Sequence, residues 1–202
     1  RRPMARILEP LARMGARIDS AEGQRSPLCI HGGSLRGIRY DIPVASAQVA
    51  TCILLAGLWA NGETSVRLPG PARDHTERML PAFGVPLSVK PLPGGGREVT
   101  LEGGVVPRAS ALIVPGDFSG AAFFLAAAAA TPGANVTAMG VNLNPTRTGL
   151  LDVLIAMGAG VRVSRPRDEA GEPVGDVTVE GPEQLRAFDV PAEWMPRLID
   201  EA

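Results

Sequence analysis

Four places along this chain hold side chains able to manage anions or protons. Arg2 precedes Pro3 and a helix-like run; its planar guanidinium could fork onto a carboxylate or phosphate, or simply stand in solvent at a terminus. Ser46, Ala47 and Gln48 open a strongly apolar helix after the extended Asp41-Ile-Pro-Val. A helix start carries unsatisfied N–H groups and the positive end of the helix dipole, so it attracts anions. Ser46 adds a hydroxyl, although it serves equally as a plain N-cap. Gln48 adds an amide at the head of so apolar a helix, where a buried amide needs partners. Arg73-Asp-His-Thr-Glu leads into a second helical pattern, with Asp74 or Thr76 as its cap, and offers a cation to a neighbouring helix start. Asp200 and Glu201 are adjacent carboxylates: one could take a proton while the other points elsewhere, or both could be solvated.

Other chemistries find no support in the residue pattern. Cys29 and Cys52 are few and unpatterned, and neither His31 nor His75 has a partner at metal-ligand spacing. Neither a metal nor a cofactor is expected. No Walker loop, dinucleotide fingerprint, nucleophile elbow or HExxH helix is present.

The elements that must hold these residues recur. Ser46 through Gly62 and Asp117 through Gly133 each run from a polar start through an unbroken apolar stretch to a glycine and a β-branched strand. Each then crosses a loop with an arginine, Arg73 or Arg147, lying eleven residues before Gly84 or Gly158. A partial third copy, with Ile7, Leu8 and Leu11 before Gly15, opens the chain. Such self-similarity means one supersecondary unit stacked several times. Hydrophobic periodicity predicts helices over 3–14, 46–59, 74–83, 119–130 and 147–157. Strands are predicted over 16–18, 38–41, 64–67, 87–89, 98–101, 111–114, 136–138, 161–163 and 176–179. The helix over 74–83 is amphipathic, with Met79, Leu80 and Phe83 on one side. Those over 46–59 and 119–130 are apolar nearly all round and should lie inside, under sheets. A domain boundary is expected between residues 114 and 115, giving domains 1–114 and 115–202.

With 20 basic and 21 acidic residues the net charge is −1, which argues against a dedicated nucleic-acid binder. The apolar stretches 49–60 and 121–130 are too short to span a bilayer. Two cysteines without a disulfide pattern make a reducing cytoplasm the default. The chain begins without methionine and both ends look cut.

Taken together these segments resemble the 5-enolpyruvylshikimate-3-phosphate synthase family, the 3-phosphoshikimate 1-carboxyvinyltransferases of aromatic amino acid biosynthesis. The resemblance is carried in order by Arg1-Arg-Pro-Met, Ala45-Ser-Ala-Gln-Val, Leu54-Leu-Ala-Gly-Leu, Arg73-Asp-His-Thr-Glu-Arg-Met-Leu, Pro115-Gly-Asp-Phe-Ser, Asn144-Pro-Thr-Arg-Thr-Gly-Leu and Leu198-Ile-Asp-Glu. Ser-Ala-Gln together with Arg-Asp-His-Thr looks like the glyphosate-tolerant branch. The resemblance implies an α/β (α+β) fold: repeated βαβαββ units around buried parallel helices, an enolpyruvyl transferase-like inside-out barrel, here incomplete. It implies that residues 1–114 are part of the domain binding shikimate 3-phosphate and that 115–202 are the first unit of the second domain. Arg2 then matches a phosphoenolpyruvate-binding arginine, Ser46 and Ala47 hold the shikimate phosphate, Gln48 touches both substrates, and Arg73 lies near a phosphate-binding position. Asp200 matches the aspartate that takes the proton of the attacking 5-hydroxyl. No metal and no covalent enzyme intermediate is implied.

Lysine and arginine positions that the family uses towards both ends have no counterpart here; Lys90 is the single lysine and matches no site. Little turnover is therefore expected from these 202 residues alone. The complete enzyme is expected to be monomeric, whereas exposed apolar faces favour either self-association of this piece or a poorly packed end near 185–202, unless other polypeptide completes it. Two other readings stand beside this one. The sister UDP-N-acetylglucosamine enolpyruvyl transferases would need a loop cysteine, and Cys52 falls mid-helix. A non-catalytic folding or assembly module would bind neither substrate.

Overall fold

The computed structural model describes residues 4–201, which form two compact units parting between Ser110 and Ala111. The first contains α1 (Ala5–Arg13), β1 (Arg17–Ala21), β2 (Arg25–His31), β3 (Leu35–Arg36) and β4 (Arg39–Asp41). It continues with α2 (Ala47–Gly57), β5 (Ala60–Asn61), β6 (Glu63–Leu68), α3 (His75–Ala82), β7 (Leu87–Pro91) and β8 (Arg97–Glu102). The second contains α4 (Phe118–Ala129), β9 (Asn135–Asn142), α5 (Gly149–Ala156), β10 (Gly160–Glu169) and β11 (Glu172–Glu180).

The repeat read from the sequence is a repeat of topology. In the first unit β8 lies between β6 and β7, antiparallel to both. In the second β11 lies between β9 and β10 in the same way. Ahead of α2, β4 pairs parallel with β6; ahead of α4, Gly116 makes a single parallel bridge to Val141 of β9. A glycine follows each central strand for one steric reason. A Cβ on Gly103 would sit 1.9 Å from the Ala60 carbonyl oxygen, and one on Gly181 would sit 2.0 Å from that of Thr131. Each interior helix thus hands its chain across the end of its own sheet at backbone contact, a spacing only glycine permits.

Each sheet covers its interior helix. Ile53 and Leu54 of α2 pack with Val66, Leu68, Val99 and Leu101, and Phe118 and Leu125 of α4 pack with Val141, Val177 and Val179. The interior helices are not enclosed all round, however. Leu55 and Trp59 are exposed, as are Phe123 and Phe124, the former at 79 %. One sheet shields one side of a helix, so an all-round apolar pattern marks sides that this single layer leaves open.

Three other expectations are corrected. Residues 111–114 form no strand; Ile113 and Val114 are exposed there, and only Gly116 pairs. Conversely, Arg25–His31 is a strand, paired antiparallel with β1, where Pro27 and interspersed polar residues obscured the alternation. On α3 the apolar side expected from Met79, Leu80 and Phe83 is not the buried one: Thr76 and Leu80 are buried and Met79 is exposed, because residues four apart share a helical face and adjacent ones do not. The segment after β11 is mostly exposed: among the described residues from 185 on only Leu198 is buried, with Leu185 partly packed against the second core and the Phe188 and Trp194 rings 5.6 Å apart.

Side chains across the first unit tie α1 to β4. Tyr40, the sole tyrosine, is buried and donates to Glu9 Oε2 at 3.0 Å, with Arg13 over its ring. Burial, then the Glu9 carboxylate, pushes the phenol above its ordinary value, Arg13 opposing. The neutral phenol is therefore the form folding favours; that stability is complete below pH 10 and is lost as pH climbs through the raised value. Phenolate absorbance of the native protein should accordingly appear above pH 10, and Glu9→Gln should bring the midpoint back towards it. Denaturant unfolding should separate the two sides of α4. Leu125→Ala should cost about 2–5 kcal/mol, whereas Phe123→Ala should change stability by no more than about 0.5 kcal/mol.

Candidate functional site

Ser46 is the N-cap of α2, in extended conformation, its Oγ accepting from the Val49 N–H at 3.4 Å. Ala47 and Gln48 form the first turn, whose amides have no carbonyl partner within the helix. Val49 and Ala50 turn into the core, while Gln48 faces solvent. Gln48 is thus exposed, not the buried amide that the apolar context suggested, while its neighbours Val49 and Ala50 take the buried side of the helix.

The loop with Arg73 lies beside this helix start. Thr51 of α2 and Thr76 of α3 share a hydrogen bond of 2.6 Å between their hydroxyls, so the second turn of α2 lies beside the first turn of α3. A Cβ on Gly70 would come within 3.9 Å of the Ala45 side chain, which brings the same loop against the residue preceding Ser46. What holds the loop is Arg97, at the start of β8. Its guanidinium donates to the carbonyls of Ala72 at 2.9 Å and Arg73 at 2.7 Å, and to Glu77 Oε1 from Nε at 2.8 Å. Its Nη2 also lies 2.6 Å from that carboxylate, with the two side chains only 13 % and 8 % exposed. A buried, charge-paired arginine therefore fixes the backbone of Ala72 and Arg73. Asp74 precedes α3 without capping it and pairs with Arg78 instead, at 2.9 Å.

The second unit shows what this arrangement does when the chain supplies its own anion. Asp117 caps α4, its carboxylate accepting from the N–H groups of Ser119 at 3.2 Å and Gly120 at 3.1 Å. Arg147, the counterpart of Arg73, reaches the same helix start, donating to Ser119 Oγ at 2.7 Å with Asp117 Oδ1 at 3.5 Å. An arginine from the following loop thus meets an anion at the start of the interior helix. In the first unit the N-cap is a neutral serine.

Asp200 lies in the second unit, exposed, in the turn that follows Ala192–Arg197. The flanking residues anchor it: Leu198 is buried against α5, close to Gly149, and Glu201 accepts from Ser119 Oγ. Of the adjacent carboxylates, Glu201 is therefore engaged at the start of α4, and Asp200 faces solvent. Arg2 lies outside the described residues. Arg97 was missed by the sequence reading, although the pattern of β8 carried a signal. It shares a face with Val99 and Leu101, where alternation predicts an apolar residue.

The sequence profile of the EPSP synthase (3-phosphoshikimate 1-carboxyvinyltransferase) family matches residues 1–202. A 3-phosphoshikimate 1-carboxyvinyltransferase of Thermus thermophilus is 52 % identical over the whole chain, and one of Citrifermentans bemidjiense is 50 % identical over 99 % of it. In both cases this chain spans 46 % of the relative's length. The solved EPSP synthase of Acinetobacter baumannii superposes with a TM-score of 0.87 at 47 % identity, covering all of this chain and 45 % of that one. The enolpyruvyl transferase NikO of Streptomyces tendae, at 16 % identity, shares the fold with a TM-score of 0.68 over 96 % of this chain and 46 % of its own. No helix among the described residues is long and apolar enough to cross a membrane.

Replacing Arg97 by methionine would leave the Glu77 carboxylate buried and uncompensated. Arg97→Met should destabilise the first unit by about 3–5 kcal/mol in chemical denaturation, and adding Glu77→Gln should recover part of that loss.

Proposed function

The chain belongs to the EPSP synthase (3-phosphoshikimate 1-carboxyvinyltransferase) family, and we propose on that premise that it contributes to enolpyruvyl transfer from phosphoenolpyruvate to shikimate 3-phosphate. The observation that carries this reading is the difference between the two helix starts. Asp117 brings a built-in carboxylate to the arginine-flanked start of α4, whereas the corresponding start of α2 has Ser46. A neutral cap beside free helix amides and a neighbouring arginine loop suits an anion arriving from solution. The phosphate of shikimate 3-phosphate is that anion in our proposal, held by the Ser46 hydroxyl, the amides of Ala47 and Gln48, and Arg73. The exposed amide of Gln48 is available to the sugar-like ring hydroxyls, and Arg2 to phosphoenolpyruvate.

In the proposed reaction, phosphoenolpyruvate gains a proton at C3 and the 5-hydroxyl oxygen attacks C2. Asp200 accepts the hydroxyl proton. The tetrahedral adduct then loses a proton from C3 as its C2–O bond to phosphate breaks, restoring the enol double bond and releasing inorganic phosphate. Asp200 suits the base's role: its neighbours Leu198 and Glu201 fix the turn while its own carboxylate reaches solvent. Where complete, the protein acts in the shikimate pathway on these two small anions, in the cytoplasm and as a monomer. A non-catalytic module would bind neither anion.

One substitution separates ligand binding from stability. Ser46→Asp installs in α2 the cap that α4 already uses, so its folding stability should match the parent within about 0.5 kcal/mol, the two residues being comparable caps. Its carboxylate would occupy the phosphate position, and calorimetric titration should show shikimate 3-phosphate binding at least about tenfold weaker. Arg73→Met should weaken binding by roughly ten- to hundredfold through loss of a charge-assisted contact. Unchanged affinity in both variants, or no binding to the parent at millimolar ligand, would reject the assignment.

A further inference from the structure

Outside the site described above, the β1–β2 hairpin brings together three side chains that share no chemistry in the sequence. In its register Asp19 faces Cys29 directly, and Arg17 faces His31. Cys29 and His31 are two apart on one strand, so they lie on the same face as Asp19. One ligand atom from each of Asp19, Cys29 and His31 lies within 4.8 Å of the other two, and among the described residues no other such trio exists. His31 Nε2 and Asp19 Oδ2 are 2.6 Å apart, and Asp19 is exposed while His31 is partly so. That contact, through its hydrogen bond and then the charge on the imidazole, holds the Asp19 carboxyl below its ordinary value.

We propose that this hairpin face is a binding site for a thiophilic divalent cation, zinc above all, with Cys29, His31 and Asp19 as three ligands and water as the fourth. A thiolate with an imidazole and a carboxylate selects a borderline-soft metal and disfavours magnesium or calcium, which take oxygen ligands. Bonds of about 2.0–2.3 Å in tetrahedral array keep ligand atoms roughly 3.3–3.8 Å apart. From their present spacing within 4.8 Å the ligand atoms need to close by at most roughly 1.5 Å, with the Asp19–His31 contact opening slightly as the metal takes the place of the proton they share. The hairpin ladder fixes the backbone, and solvent exposure lets the side chains turn freely. On binding, the Cys29 thiol gives its proton to solvent and a metal–sulfur bond forms. Arg17 shares the face and opposes a cation, but the thiolate and carboxylate together outweigh its single charge. The second thiol is no competitor: Cys52 is half-buried in α2, and burial pushes its ionisation up.

The test is a titration of the full chain with cobalt(II), then competition by zinc, after chelator treatment and under a phosphine reductant. One equivalent of cobalt should produce the near-ultraviolet band of a cobalt–thiolate bond. The band should vanish in Cys29→Ser and persist in Cys52→Ser, and zinc should displace it. Zinc affinity should fall at least about tenfold in His31→Ala and in Asp19→Asn, with thermal unfolding of the metal-free variants close to the parent's because all three side chains are at the surface. The assignment is overturned by a parent chain that gives no thiolate band, by a band that survives Cys29→Ser, or by zinc affinities unchanged in both ligand variants. These readouts are independent of shikimate 3-phosphate, so they stand or fall apart from the function proposed above.

Discussion

The guanidinium of Arg97 is the fixed point of the first unit's chemistry. It sits at the start of a central strand, on the face turned to the core, where a charge is costly unless fully paired. Glu77 neutralises it, and the carbonyls of Ala72 and Arg73 each accept a further donor. Strand β8, helix α3 and the loop before that helix are thereby locked to one another. Because the Thr51–Thr76 hydrogen bond sets α3 beside α2, the same lock determines how the arginine loop meets the start of the apolar helix. The arginine loop beside the start of α2 is thus positioned by a buried charge from a different strand.

The two units then read as one design used for two purposes. Helix, strand, helix and hairpin recur with the last strand always central, and a glycine follows that strand wherever the helix exit crosses it. In the second unit the arginine loop closes on Asp117 and Ser119, and Ser119 in turn tethers Glu201 and so the turn carrying Asp200. Internal anion and internal cation make that helix start structural. The first unit keeps the cation and the helix dipole but replaces the carboxylate with a hydroxyl. The two helix starts thus share a scaffold and differ by one charge, the difference on which the proposed phosphate site rests.

The hairpin of β1 and β2 belongs to neither purpose. It lies on the partial third copy of the repeat, and its outward face gathers an acid, a thiol and an imidazole purely through strand register. Nothing in linear spacing links Asp19 to Cys29; a ladder shifted by one residue would turn one of them to the opposite face.

Much of this was legible in the residues. Apolar runs ending in glycine marked α2 and α4, the equal arginine-to-glycine spacing marked the repeat, and the ordered motifs marked the family. Strand β2 was hidden because Pro27 and polar residues break its alternation, and the 111–114 run misled because β-branched residues without a paired neighbour make no strand. The sequence by itself determined where the helices lie and where most of the core strands lie, since periodicity follows from backbone geometry and burial. Only the tertiary structure decided that Arg97 pins the arginine loop, that Gln48 faces water, that Glu201 is held at the start of α4, and that Asp19 meets Cys29 and His31. Each of these depends on contacts between residues far apart in the chain, and pairing at a distance is set by packing and register, which local pattern does not encode.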